Sequence, residues 1–227
     1  ITGSYWAFTL TDGALRMLVV LYFHELEYSP LDIALLFLFY EIFGVVTNLF
    51  GGWIAARTGL AATLIGGLWL QVVALAMLLV DPSMLTIAYV MAAQALSGIA
   101  KDLNKMSAKS SVKLLVGNSE GRLYRWVAWL TGSKNALKGL GFFAGGASLS
   151  AFGFSTSIAG MALGLSVIAA ATLVFLDREM GKASFKPKFS NLWSKSPQIN
   201  KLSAARLFLF GSRDVWFVVA LPVFLQL

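Results

Sequence analysis

The residues from Ile1 to Phe23, ITGSYWAFTLTDGALRMLVVLYF, constrain the fold more than any other stretch. They are long and apolar enough to cross a bilayer, yet Asp12 and Arg16 sit in their middle. A charge at the centre of a membrane costs about 2.5–3.5 kcal/mol on insertion scales, so it faces a partner or a wet cavity rather than lipid. Four residues apart, the two side chains share one face of a helix. At ~1.5 Å per residue Asp12 lies ~14 Å beyond Gly3, near the midplane of a ~30 Å hydrocarbon core. The other helices are expected to be arranged around this polar centre.

Similar apolar runs recur along the chain. Of its 227 residues 58% are hydrophobic and 13% charged, with a mean hydropathy of +0.75, whereas a soluble domain carries about 25% charged residues. The expected class is an all-α membrane protein with six complete spans, near residues 3–23, 33–56, 61–80, 85–105, 122–150 and 155–176, and the start of a seventh at 203–227. The chain begins without a methionine and stops inside an apolar run, as a piece of a longer protein would. There is no cysteine, and the single histidine, His24, falls where the first span ends, as an interfacial side chain. That inventory argues against a disulfide framework, a metal centre, thiol catalysis or a bound cofactor.

The turns between spans set an orientation. Those after the first, third and fifth spans hold no Lys or Arg. The second has Arg57, the fourth is flanked by Lys105, Lys109, Lys113 and Arg122, and the sixth carries Arg178, Lys182, Lys186, Lys188, Lys195 and Lys201. The positive-inside rule then places the even-numbered turns and the N-terminal end in the cytoplasm, for a multi-pass protein of the inner (plasma) membrane. The net charge of +7 reflects this asymmetry and contact with anionic lipid, not nucleic-acid binding. Within the loop 181–201, Phe185, Phe189, Leu192 and Trp193 recur at helical spacing among lysines, which predicts a short amphipathic helix on the cytoplasmic face. It would separate a six-helix bundle, 1–180, from the first helix of a second bundle, 202–227.

Buried polarity divides the spans. The third and sixth lack ionisable groups and should face lipid, while the others carry Asp12 and Arg16, Glu41, Lys101 and Asp102, Lys134 and Lys138, and Arg206, Arg213 and Asp214. The division repeats every three spans, as two inverted three-helix units would. By helical rise Lys134 and Arg213 approach the level of Arg16, with Lys138 one turn above Lys134. One reading closes each cation on its own acid, Arg16 on Asp12 and Arg213 on Asp214, as structural glue. The other leaves a surplus of positive charge that only a bound anion compensates. Lys134 and Lys138, on a helix with no acid between Arg122 and Gly153, favour the second; Ser133 and Asn135 flank them and could add neutral hydrogen bonds or serve packing. Lys101, Asp102, Lys105 and Lys109 form a separate cluster at the expected cytoplasmic end of the fourth span, either a solvated face or a vestibule. Gly141 with Gly145 and Gly160 with Gly164 are small-residue pairs suited to close helix approach.

At the second turn, Gly52 to Gly59 reads GWIAARTG, which resembles the G-x-L-A-D-R-x-G loop of the major facilitator superfamily through Gly52, Ala55, Arg57 and Gly59, with Ala56 where that motif has its acid. Longer phrases, TLTDGALRMLVVLYF, LFLFYEIFGVVTNLFGGW, AAQALSGIAKDLNKMSAKSSVKLL, LTGSKNALKGLGFF and LSAARLFLFGSRDVWFVVALPVFLQ, resemble the ArsJ-type organoarsenical permeases of that superfamily. The resemblance implies a twelve-span protein of two pseudo-symmetric halves, of which this chain supplies the six-helix first half plus one helix. It also implies an efflux antiporter for 1-arseno-3-phosphoglycerate, functionally linked to glyceraldehyde-3-phosphate dehydrogenase, which conveys arsenate resistance. On that reading Arg16, Lys134, Lys138, Arg213, Asn135 and Ser133 bind the small anionic substrate. Asp12, Glu41 and Asp214 are the proton-coupling candidates, and Gly52, Arg57, Gly59, Lys101, Asp102 and Lys105 form a cytoplasmic gate or vestibule. The rival cargo is another organic anion or a drug; an embedded enzyme would need clustered His, Cys or carboxylates.

Overall fold

The computed structural model describes residues 1–116, 120–177, 180–182 and 196–214. Helix α1 spans Thr2–Glu25. Helix α2, Pro30–Leu36, opens on Ser29, whose hydroxyl accepts the Asp32 amide, with proline at the first turn where its missing N–H is harmless. A single residue, Phe37, joins it to α3, Leu38–Thr58. Phe37 keeps near-helical angles and donates to the Ala34 carbonyl at 3.2 Å, so the second span is a kinked rod, Pro30–Thr58. Helix α4, Leu60–Met77, a 3₁₀ turn at Pro82–Met84, α5, Ile87–Val116, α6, Glu120–Phe152, and α7, Phe154–Phe175, complete the six expected spans, and α8 covers Pro197–Asp214. No strand occurs among the described residues.

Four spans, Thr2–Glu25, Pro30–Thr58, Leu60–Met77 and Phe154–Phe175, are long and apolar enough to cross a membrane on composition alone. Helices α5 and α6 are longer, 30 and 33 residues, but carry most of the intramembrane lysines. Helix α5 also runs past the expected end at residue 105 to Val116, taking its lysine stripe with it.

Two compact units emerge, Ile1–Pro187 and Lys188–Leu227. In the first, α1 packs on α6 and α7, α5 packs on α3 and α4, and α4 meets α7. Exchanging α1 with α5, α3 with α6 and α4 with α7 maps this set of contacts onto itself. That is the signature of two three-helix repeats, which an odd number of spans must place in opposite orientation. The repeat is written in the sequence as Asp12-Gly13-Ala14-Leu15-Arg16 against Ser97-Gly98-Ile99-Ala100-Lys101. Both glycines stand where helices from different repeats cross. A Cβ at Gly13 would lie 2.8 Å from the Lys138 carbonyl oxygen, and one at Gly98 would collide with the Tyr40 carbonyl.

Gly141 and Gly145 serve the same crossing from the α6 side, where side chains would strike the α1 backbone at Leu10 and Ala14. Gly160 and Gly164, expected to act alike, meet nothing within 4 Å. They lie on α7, whose Leu163, Val167, Val174 and Phe175 are exposed, as lipid-facing residues would be. The expectation that the third span also faces lipid needs correction. Over half of the apolar stretch of α4 is buried, because α4 lies in the seam where the repeats meet, against α5 and α7. Its Gln71 is fully enclosed and accepts the Ser97 hydroxyl at 2.8 Å.

At the other end of α4, the amides of Leu60 and Ala61 donate to the Met180 carbonyl, tying the chain after α7 to the α3–α4 turn. Gly59 makes that turn at φ 98°, in the region a side chain disfavours. Phe185, Phe189, Leu192 and Trp193, and with them the expected amphipathic helix, lie outside the described residues. Helix α8 starts at Pro197, earlier than the expected 203.

Candidate functional site

The polar centre is organised by Tyr40, a fully buried residue on α3 just after the Phe37 kink. Its hydroxyl donates to the Asp12 carboxylate on α1 at 2.6 Å. Its ring lies between two cations, with the Arg16 guanidinium carbon and the Lys101 Nζ each 4.0 Å from the centroid. Such cation–π contacts are worth about 2 kcal/mol when desolvated. Arg16 and Lys101 are the counterparts in the two repeats, and the next residue on α3, Glu41, bridges them. Glu41 accepts from Arg16 Nη2 at 2.6 Å through Oε1 and from Lys101 Nζ at 3.4 Å through Oε2.

The two carboxylates that pair with Lys101 differ in burial. Asp102 has a side chain only 2% exposed and takes Lys105 at 3.0 Å and Lys101 at 3.8 Å. Removing Asp102 leaves two lysines whose side chains are only partly buried, 22% and 36% exposed, and costs about 1–3 kcal/mol. Glu41 keeps 61% of its side chain open, and pairs of that exposure contribute only about 0–1 kcal/mol. It is held, but lightly.

These groups border a cavity of about 160 Å³ lined by Tyr5, Phe8, Thr9, Asp12, Arg16, Glu41, Lys101, Lys105, Lys134 and Lys138. Five cations face two carboxylates there, and adding Asp102 behind Lys101 and Lys105 still leaves an excess of two positive charges. The excess lies on α6: among the described residues neither Lys134 nor Lys138 has a carboxylate within ion-pair distance. Lys138 Nζ instead lies 5.6 Å from the Phe142 ring centre. Arg16 Nε likewise has no hydrogen-bond partner among the described residues.

The expected convergence of Arg16, Lys134 and Lys138 with Asp12 is therefore present, with three corrections. Arg16 pairs with Glu41 on α3, while Asp12 is taken by Tyr40. Lys101 and Lys105, expected in a separate cytoplasmic vestibule, line the same cavity, because their face of α5 turns toward α1, α3 and α6. Ser133 and Asn135 do not line it: Ser133 accepts the Trp6 indole N–H at 3.0 Å and donates to Leu130, and Asn135, a helical step round from Lys134, is exposed. Arg213 and Asp214 belong to α8, but their side chains lie outside the described residues. Gly52 and Arg57 stay with the α3–α4 turn, Gly52 in open space and Arg57 over the Trp53 ring at 4.7 Å. Tyr40 was missed altogether, since a tyrosine in an apolar run carries no charge to mark it. Aligning the two glycine-containing repeats would have marked Lys101 as the partner of Arg16.

Neither a family model nor a curated protein matches the sequence. Among solved structures, the peptide transporter POT, a mutant crystallised in complex with sulfate, matches with a TM-score of 0.63 at 15% identity, over 97% of this chain and 45% of that one. The chain thus has the helical fold of the major facilitator type and spans less than half the length of the transporter it matches.

Proposed function

We propose that this chain is the anion-binding first half of a secondary transporter. The observation that carries the reading is the pair Lys134 and Lys138, two cations that share a cavity with Arg16, Lys101 and Lys105, have no acid of their own among the described residues, and by helical rise would lie near the middle of the membrane. A permanent excess of charge at that depth is costly unless water or an anion fills the space. Guanidinium supplies a planar fork for an oxyanion, and ammonium supplies a compact charge. The repeats around the cavity provide the symmetry on which alternating access works.

The cargo that best fits the sequence resemblance is 1-arseno-3-phosphoglycerate, whose phosphate and arsenate ester groups both call for cations. Its export across the inner membrane, coupled to protons through Asp12 or Glu41, would convey arsenate resistance alongside glyceraldehyde-3-phosphate dehydrogenase. The basic turns support an N-terminal end in the cytoplasm. Arg213 would take part in substrate binding and Asp214 in proton coupling, as the sequence resemblance implies, and Gly52, Arg57 and Gly59 would act at the cytoplasmic gate. A different organic anion is the second reading, favoured by a cavity whose lysines recognise any compact oxyanion; a lipophilic drug fits these walls poorly. Arsenate-sensitive cells expressing the full-length protein should gain resistance only when the dehydrogenase is also present. Resistance independent of the enzyme removes the organoarsenical cargo, and unchanged anion uptake by everted vesicles after Lys134→Gln removes the site.

A further inference from the structure

We infer that Glu41 is a built-in competitor for the transported anion: it occupies one of two anion subsites in the cavity, and the substrate must displace it. The proposal rests on the anion-binding reading above and adds to it. One subsite lies at Lys134 and Lys138 on α6, with no acid in place. The other is defined by Arg16 and Lys101, the equivalent residues of the two repeats, which stand on either side of Tyr40 and share a single carboxylate. Glu41 offers each of them one oxygen, as the oxyanion of a ligand would.

Three features separate Glu41 from an acid that merely neutralises its surroundings. It is the most open of the charged groups that take part in the ion pairs of the cavity. Its two cations are held in place without it, since both rest on the Tyr40 ring, and Lys101 also meets Asp102. Finally, its backbone follows directly on Tyr40, whose carbonyl is pressed against Gly98, so the carboxylate can swing out while α3 stays fixed. An anion that draws on Arg16 and Lys101 as well as on the α6 lysines, which line the same cavity, must replace Glu41. Protonating Glu41 has the same effect as displacing it: the competing charge disappears and both cations become free to bind an anion.

The groups that face Glu41 and could mimic this response are Tyr5, Asp12 and Arg16 on α1, Tyr40 on α3, Lys101, Asp102 and Lys105 on α5, and Lys134 and Lys138 on α6. Sulfate is the appropriate probe, because it stays a dianion across the range in which carboxylates titrate. Its binding to the purified full-length protein would be measured by calorimetry between about pH 8 and about pH 3, a range that spans the ordinary carboxylate values. If Glu41 closes the Arg16–Lys101 subsite about nine-tenths of the time, removing it tightens binding about tenfold. Wild-type protein should therefore bind sulfate more tightly as pH falls, and Glu41→Gln should bind about tenfold more tightly than wild type at the upper pH with little further change on acidification.

A Glu41→Gln protein that binds sulfate no more tightly than wild type, or that keeps the full pH response, overturns the proposal. So does a pH-independent wild-type affinity, a result that needs no variant to fold. Binding that Lys134→Gln weakens but Glu41→Gln leaves unchanged defeats the competitor and keeps the anion site. Absence of sulfate binding to wild type at every pH defeats both.

Discussion

The two walls of the cavity handle the same problem in opposite ways. On α5, both lysines that line the cavity have an acid at hand: Lys105 meets Asp102, and Lys101 is shared between Asp102 and Glu41. On α6, Lys134 and Lys138 face the same space with none among the described residues. Both walls belong to helices clamped backbone to backbone across the repeats, α5 on α3 at Gly98 and α6 on α1 at Gly13, Gly141 and Gly145. The difference is thus one of charge and not of packing. A compensated wall supports the fold, and an uncompensated wall asks for a ligand.

The strongest way to break this contrast is to neutralise the α6 wall. Lys134→Gln combined with Lys138→Gln should reduce anion transport in everted vesicles by about a hundredfold or more, about 2.7 kcal/mol of binding, while the protein remains folded. Retained transport would make the bare lysines incidental. Asp102→Asn tests the other wall and should act on stability, costing about 1–3 kcal/mol by leaving Lys105 and Lys101, both partly open, under-compensated. A thermal melt in detergent reads it, and an unchanged melting temperature would show that the α5 pairs do not hold the fold.

Tyr40→Phe keeps the ring between Arg16 and Lys101 but removes the donor to Asp12, so it should lower stability by about 1–3 kcal/mol and leave anion affinity within about threefold. A collapse of affinity instead would place the Asp12 contact in ligand binding. The smallest effect belongs to one of two glycines that look alike in sequence. Gly145→Val forces a side chain against the Ala14 backbone and should cost about 1–3 kcal/mol, whereas Gly160→Val points into open space and should stay within about 0.5 kcal/mol. Equal melting shifts for the two would mean that α6 does not approach α1 as closely as described.

The membrane class, the spans and the meeting of Arg16 with Lys134 and Lys138 were legible because long apolar runs and deeply placed charges have few alternatives. Residue spacing along single helices gives an expected depth, but it does not say which helix crosses which. Hence spacing offers Asp12, four residues away on the same helix, as one possible partner for Arg16, whereas the partner in the fold, Glu41, comes from α3. For the same reason Lys101 and Lys105 were assigned to a separate vestibule, since their counterpart face on α1 is revealed only when the repeats are superposed. Ser133 and Asn135 were chosen for adjacency to Lys134, yet neighbours along a helix point about 100° apart. Gly160 and Gly164 carry the same spacing as Gly141 and Gly145, and only the presence or absence of a facing backbone separates the pairs.

The central claim, that an anion sits against the α6 lysines, is tested most directly by a crystal of the full-length protein soaked in selenate, whose selenium marks its position by anomalous scattering. The account predicts a peak inside the cavity within hydrogen-bonding reach of both Lys134 Nζ and Lys138 Nζ. A cavity without such a peak, with each lysine closed by a carboxylate of the full-length protein, would contradict it.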